Sequence, residues 1–169
     1  MEKWKGQEIF VKAAAIVIQK FPDVKFWIIG DGPETKNLES LVEKLQLTHQ
    51  FKFWGKIENV LAYLQQTKIF VHNSIEAEPF GRVIIEAMAC GLPVISTDLG
   101  GPKEIIKDGE NGFLLSPNNP EILAEKIEFL IKNKKVRHDL GQKSIETVQN
   151  IFDIKKTTES IQSIYDFNN

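Results

Sequence analysis

Two carboxylates and a glycine stand where an apolar, strand-like run gives way to a helix-like one. The stretch is Ser74-Ile-Glu-Ala-Glu78-Pro-Phe-Gly81-Arg-Val-Ile-Ile-Glu86-Ala-Met-Ala-Cys-Gly91, and it follows Lys68 to Asn73. Glu78 falls in the loop, and Glu86 falls about one turn into the helix. Pro79 stiffens the approach. Gly81 permits a sharp entry and lets a ligand come close to backbone. The first N–H groups of the helix, near Gly81, Arg82 and Val83, have no partner within it. With the helix dipole they make an anion site suited to phosphate. A carboxylate on either side of such a site is not there to bind the phosphate. It is placed to accept hydrogen bonds from hydroxyls. The local chemistry points to a ligand that carries phosphate flanked by polyols, such as a ribose and a hexose.

The surrounding elements must hold that loop at one end of a sheet. Helical spacing marks Gly6 to Lys20, and Leu38, Leu41, Val42 and Leu45 form a second stripe. Short apolar runs predict strands at Lys25 to Gly30, Phe51 to Trp54, Lys68 to Asn73, Leu92 to Ser96 and Phe113 to Leu115. Between and after them, helices are predicted at Glu58 to Gln66, Gly81 to Cys90, Glu104 to Lys107 and Pro120 to Ile131. Two more, at about Val136 to Gln149 and Asp153 to Phe167, close the sequence. Strands alternating with helices imply an α/β domain, a parallel sheet covered on both faces. Ligands then bind outside the carboxyl ends of the strands. The loop carrying Glu78 lies there.

Size and charge narrow the classes. A chain of 169 residues is one domain of ordinary size. Its net charge of −2 sets up no basic field for nucleic acid. The one cysteine, Cys90, can form no internal disulfide and suggests no zinc cluster, which fits a reducing, cytoplasmic setting. No run is apolar enough to span a bilayer. Lys132 to Lys135 reads as a solvated helix end, with peripheral contact to anionic lipid at the inner face of a membrane as the second reading.

The segment from Glu78-Pro-Phe-Gly81 through Glu86-Ala-Met-Ala-Cys-Gly91-Leu-Pro-Val resembles the Glu-x7-Glu motif of a large family of retaining glycosyltransferases with the GT-B fold. That family is glycosyltransferase family 4, the group 1 glycosyl transferases, with many bacterial lipopolysaccharide, capsule and mannosyl transferases. Five further segments match in order: Lys5-Gly6, Ile28-Ile-Gly30-Asp-Gly32-Pro, Phe53-Trp-Gly55, Gly100-Gly-Pro-Lys-Glu104 and Asp108-Gly-Glu-Asn-Gly112-Phe. The resemblance runs from Lys5 to about Leu130. It implies a Rossmann-like three-layer domain that binds the nucleotide sugar, the C-terminal half of a two-domain enzyme.

The resemblance also implies roles. Glu78 would contact hydroxyls of the transferred sugar and is the catalytic candidate. Glu86 would bind the ribose. Phe80, Gly81, Arg82 and Val83 would offer backbone to the sugar and diphosphate, and Lys5 would hold the diphosphate. Trp54 and Gly55 would lie beside the base, and Gly32 completes the donor-binding set. The family needs no metal, and the sequence has no Asp-x-Asp pair to hold one on a diphosphate. No cofactor is expected; the substrate is a UDP-, GDP- or ADP-linked sugar. The family's first C-domain strand and its acceptor-binding N-terminal domain would precede Lys5, where the sequence has Met1 to Trp4. That strand sits centrally, between those at Lys25 to Gly30 and Lys68 to Asn73. A gap, a repaired edge or a partner chain is therefore expected there.

Other residues read more plainly. Glu76 lies off the motif and reads as surface, and Lys5 reads equally well as a solvated helix-start lysine. His49, His72 and His138 are scattered; His72 reaches the site from a strand end, but a satisfied structural histidine is the commoner case. Cys90 reads as core. Gly30-Asp-Gly32 resembles the opening of a dinucleotide fingerprint, but position 35 is Thr35 rather than a third glycine, which disfavours a nicotinamide enzyme. The rival readings are a non-catalytic nucleotide-sugar-binding module and a sugar-nucleotide epimerase of the same overall fold.

Overall fold

The computed structural model describes residues 1–152. A 3-10 turn at Lys3–Lys5 leads into α1 (Gln7–Lys20), β1 (Phe26–Ile28), α2 (Thr35–Lys44), β2 (Phe51–Phe53) and α3 (Val60–Leu64). Then come β3 (Phe70–His72), α4 (Arg82–Ala89), β4 (Val94–Thr97), α5 (Pro102–Ile105), β5 (Phe113–Leu115), α6 (Pro120–Lys132) and α7 (Lys134–Ile151). All five strands of the reading are present: the first three are shortened, β4 starts two residues later and runs one further to Thr97, and β5 keeps its predicted bounds. The predicted turn at Glu104 to Lys107 starts two residues earlier, because Pro102 sits at the first helical position, where its missing N–H costs nothing. The helix expected at Asp153 to Phe167 lies outside the described residues.

All pairings between strands are parallel, and the strands form two pieces, β1-β2 and β3-β4-β5. The expected break is there: β1 and β3 are not paired. The first residues bridge the loops that follow these two strands. Met1 O accepts from Glu34 N at 3.2 Å, and Trp4 O accepts from Ile75 N at 2.7 Å.

Strand β4 explains the layers. Its residues Val94 and Ile95 are both fully buried, but they point to opposite faces. Val94 joins Ile84, Ala87 and Met88 of α4 with Ile105 and Ile106. Ile95 joins Val11, Ala14 and Val17 of α1 with Leu123, Ile127 and Leu130 of α6. A sheet sandwiched in this way must present its strand ends, not its faces, to a ligand. Lys20 Nζ reaches the buried Glu128 carboxylate at 2.9 Å and ties α1 to α6.

Candidate functional site

Register places the polar groups of the site. His72 and Ser96 are paired positions at the ends of β3 and β4. Side chains at paired positions stand side by side on one face, and His72 Nδ1 lies 3.1 Å from Ser96 Oγ. The chain then turns, and Thr97 Oγ1 donates to Ser74 O at 2.7 Å, fixing the loop after β3 to the end of β4.

Glu78 lies in that loop with its side chain 15% exposed, and three donors converge on its carboxylate. Lys5 Nζ lies 2.8 Å from Oε1. His72 Nε2 lies 2.5 Å from Oε2, and Ser74 Oγ donates to Oε2 at 3.2 Å. Burial favours the neutral acid, but hydrogen bonds and charge from Lys5 and His72 outweigh it and hold the Glu78 carboxyl below its ordinary value of 4.5. Burial likewise holds the His72 imidazole below 6.5, against the attraction of Glu78. Glu78 is therefore a carboxylate and His72 a neutral ring at neutral pH.

Backbone fixes the loop from the far side. Glu78 forms a parallel bridge with Gly100, and Gly101 N donates to Glu78 O at 2.8 Å. Gly100 has φ +65°, and a Cβ there would lie 2.4 Å from Glu78 O. A Cβ on Gly101 would lie 2.5 Å from Phe80 Cα. Only glycine at both positions lets the two loops touch. Lys5 is placed by a similar strap, the bond from Ile75 N to Trp4 O together with one from Asn73 Nδ2 to Gly6 O.

Gly81 caps α4 in the left-handed region (φ +85°) with no side-chain cap. The N–H groups of Arg82 and Val83 therefore have no acceptor within the helix. Phe80, Arg82, Val83 and Glu86 are exposed around this terminus. Among the described residues the Glu86 carboxylate makes no hydrogen bond or ion pair, so it is not the helical partner of Arg82.

The remaining candidates lie at the ends of β1 and β2. Trp54 N donates to Ile28 O at 3.0 Å, and Gly30 N donates to Gly55 O at 2.8 Å. The Trp54 ring stands edge-on to Trp27 and Tyr63, with centroids 5.4 Å and 4.8 Å away. Its Nε1 is buried with no acceptor among the described residues. Gly32 packs against the backbone of Met1. The structure thus brings Lys5 onto Glu78, whereas no hydrogen bond or ion pair links Gly32, Trp54 or Gly55 to either glutamate among the described residues. A cleft of about 240 Å³ opens beside the start of α1, lined by Gly6, Gln7, Glu34, Ile75 and Asn118; Glu78 and Glu86 do not line it. Cys90 is only partly buried, and its thiol is pushed up by burial and then by Glu86.

His72 and its partners Ser74 and Ser96 are the residues that sequence reasoning undervalued. The available signal was position: His72 ends the strand that leads into the motif. No group of three or more His, Cys, Asp or Glu among the described residues could hold a metal ion. No helix among them is long and apolar enough to cross a membrane.

Residues 1–147 match the family model described as glycosyl transferases group 1. The chain is 33% identical over 163 residues to N-acetyl-alpha-D-glucosaminyl L-malate synthase of Bacillus anthracis, covering 96% of this chain and 42% of that protein. It is 32% identical over 156 residues to the lipopolysaccharide core biosynthesis glycosyltransferase LpsE of Rhizobium meliloti, covering 92% and 44%. The chain thus spans less than half the length of these relatives. The crystal structure of Anabaena Alr3699/HepE in complex with UDP superposes with a TM-score of 0.91 at 30% identity, over 98% of this chain and 46% of that one. The C-terminal domain of the group 1 glycosyl transferase LpcC from Francisella tularensis superposes with a TM-score of 0.84 at 32% identity, over 91% and 83%.

Proposed function

The chain belongs to the glycosyl transferases group 1 family, and from that premise we propose that it is the donor-binding domain of a retaining, family 4 glycosyltransferase. The observation that carries the reading is the oriented Glu78 carboxylate beside the uncapped start of α4. Arg82 and Val83 offer backbone N–H groups to a diphosphate. Lys5 has three donors and spends one on Glu78, so it can bridge that carboxylate and a phosphate. Glu86, without a hydrogen bond or ion pair among the described residues, takes the ribose diol. Trp54 and Gly55 flank the base, and Gly32 completes the donor-binding set. The crystal structures of HepE with UDP and with UDP-glucose support a nucleotide sugar as the ligand class.

In transfer, the bond from the anomeric carbon to the diphosphate oxygen breaks and a bond to the acceptor hydroxyl oxygen forms on the same face. The acceptor proton passes to the departing phosphate oxygen. The α4 terminus and Lys5 stabilise the developing phosphate charge without a metal. Glu78 orients the sugar and supports positive charge at its anomeric carbon. A carboxylate offers about four acceptor sites; three are already taken, which suits a positioning group better than a nucleophile. The acceptor would be a glycan, a lipid-linked sugar or another hydroxyl, brought by a second domain, in a cytoplasmic enzyme of polysaccharide synthesis that touches the membrane only peripherally.

Calorimetric titration of the chain with UDP-, GDP- and ADP-sugars tests the reading. One nucleotide class should bind with its sugar-linked form preferred. No binding to any of them would sink the donor-site assignment. Binding, with no transfer or donor hydrolysis by the two-domain form, would favour a non-catalytic module.

A further inference from the structure

The carboxylate of Glu78 is approached from two sides by different kinds of group. Lys5, half-buried on a flexible stem, meets Oε1. Oε2 is met by His72 at 2.5 Å, its side chain only 6% exposed, with Ser74 Oγ the longer second donor at 3.2 Å. We propose that His72 is the residue that positions Glu78: its buried ring fixes the carboxylate by Oε2 and so sets the direction in which the free acceptor site faces the transferred sugar. This rests on the donor-site reading above.

The geometry leaves His72 one way to serve. A carboxylate only accepts, so Nε2 must carry the proton that points to Oε2. In the neutral ring Nδ1 is then the acceptor, and the one hydroxyl proton of Ser96, whose Oγ lies 3.1 Å from Nδ1 and 3.2 Å from Thr97 O, is in reach of it. Ser96 is 1% exposed, so the pairing is shielded from bulk water. The carboxylate of Glu78 thus selects the tautomer, and the sheet supports it: Ser96, on β4, faces the other ring nitrogen and holds the plane of the ring. The charged groups that bear on the ring are Glu78, from the loop, and Lys5, from the 3-10 turn. A lysine in place of His72 would bring a mobile charge, whereas imidazole is a rigid plane with two bonded edges.

Two measurements decide the proposal. Nitrogen-15 NMR of the imidazole in this chain at neutral pH should show a neutral ring protonated on Nε2. A ring protonated on Nδ1 would overturn the pairing. Calorimetry then compares the nucleotide sugar that binds tightest with its free nucleoside diphosphate. His72→Leu should lose about tenfold of the preference for the sugar-linked form and leave the diphosphate within about twofold. His72→Gln, whose amide nitrogen reaches the place of Nε2, should restore most of that preference. Equal loss for both ligands, or none for either, in His72→Leu would overturn a positioning role. If His72→Leu does not fold, His72→Gln decides: a preference as weak as that of Glu78→Ala overturns the proposal, and a retained one supports it. Failure of the unaltered chain to bind any nucleotide sugar would instead remove the donor-site reading, and with it the role toward sugar, while the NMR tautomer would still decide the His72–Glu78 pairing.

Discussion

Glu78 and Glu86 stand eight positions apart and in opposite circumstances. Behind Glu78 everything is built: three donors, a backbone bridge and two glycines pressed against the loop. Among the described residues the Glu86 carboxylate has no hydrogen bond or ion pair, and it lies on an exposed face of α4. A group that must meet a reacting centre has to be held before the substrate arrives, since preorganisation is what lowers a barrier. A group that only accepts hydrogen bonds from a ribose can be left for the ligand to satisfy. On the proposed function, the contrast matches different stages for the two carboxylates, turnover for Glu78 and binding for Glu86.

The sharpest way to break this contrast is Glu78→Ala. Transfer by the two-domain form should fall by roughly 100-fold or more, while nucleoside diphosphate affinity in this chain stays within about twofold. Near-normal transfer would make the non-catalytic module the better reading. A trapped covalent glycosyl-Glu78 adduct would turn the positioning group into a nucleophile. Glu86→Gln should do the reverse, weakening nucleoside diphosphate binding by about 1–3 kcal/mol. Unchanged affinity by calorimetry would remove Glu86 from the ribose.

Gly100→Ala tests the support without touching either carboxylate. The added methyl meets Glu78 O at 2.4 Å on backbone that disfavours side chains. Thermal unfolding should register a loss of about 1–3 kcal/mol, with the preference for the sugar-linked ligand falling further than diphosphate affinity. An alanine variant as stable and selective as the original would mean that the loops do not need their close contact.

Acid should show a smaller effect. His72 and Glu78 both bind protons less readily in the folded chain than their ordinary values of 6.5 and 4.5 imply. The unfolded chain therefore takes up protons first as the pH falls, and stability declines, first below the ordinary value of His72 and again below that of Glu78. His72→Gln should flatten the decline between about pH 7 and 5.5, as read by urea unfolding. An equally steep decline in that variant would assign the acid sensitivity elsewhere.

The parallel α/β plan was legible because each strand is a short apolar run and each helix a periodic one. Even the unpaired β1 and β3 edges followed from the resemblance. The motif loop was legible because Pro79, Gly81 and the two glutamates are neighbours in sequence. What stands behind Glu78 was not. Lys5 meets it across 73 positions, and Ser96 meets His72 across 24. Those contacts come from strand register and from a strap of backbone bonds, neither of which leaves a local pattern. His72 alone looks like any buried histidine; its meaning comes from which nitrogen faces which neighbour.

The pair Gly100-Gly101 has a consequence for anyone wishing to move this site elsewhere. The run from Glu78 to Glu86 looks like a self-contained cassette, ready to be grafted onto the end of another parallel strand. Yet its shape is cast against a mould formed by the following crossover, where two residues without side chains lie flush on the backbone of Glu78 and Phe80. A graft that carries the glutamates but leaves the mould behind would transplant the letters and lose the conformation. The smallest transferable unit is two strand ends with both of their loops, Phe70 through Ile105, together with the Trp4 to Gly6 strap that brings Lys5.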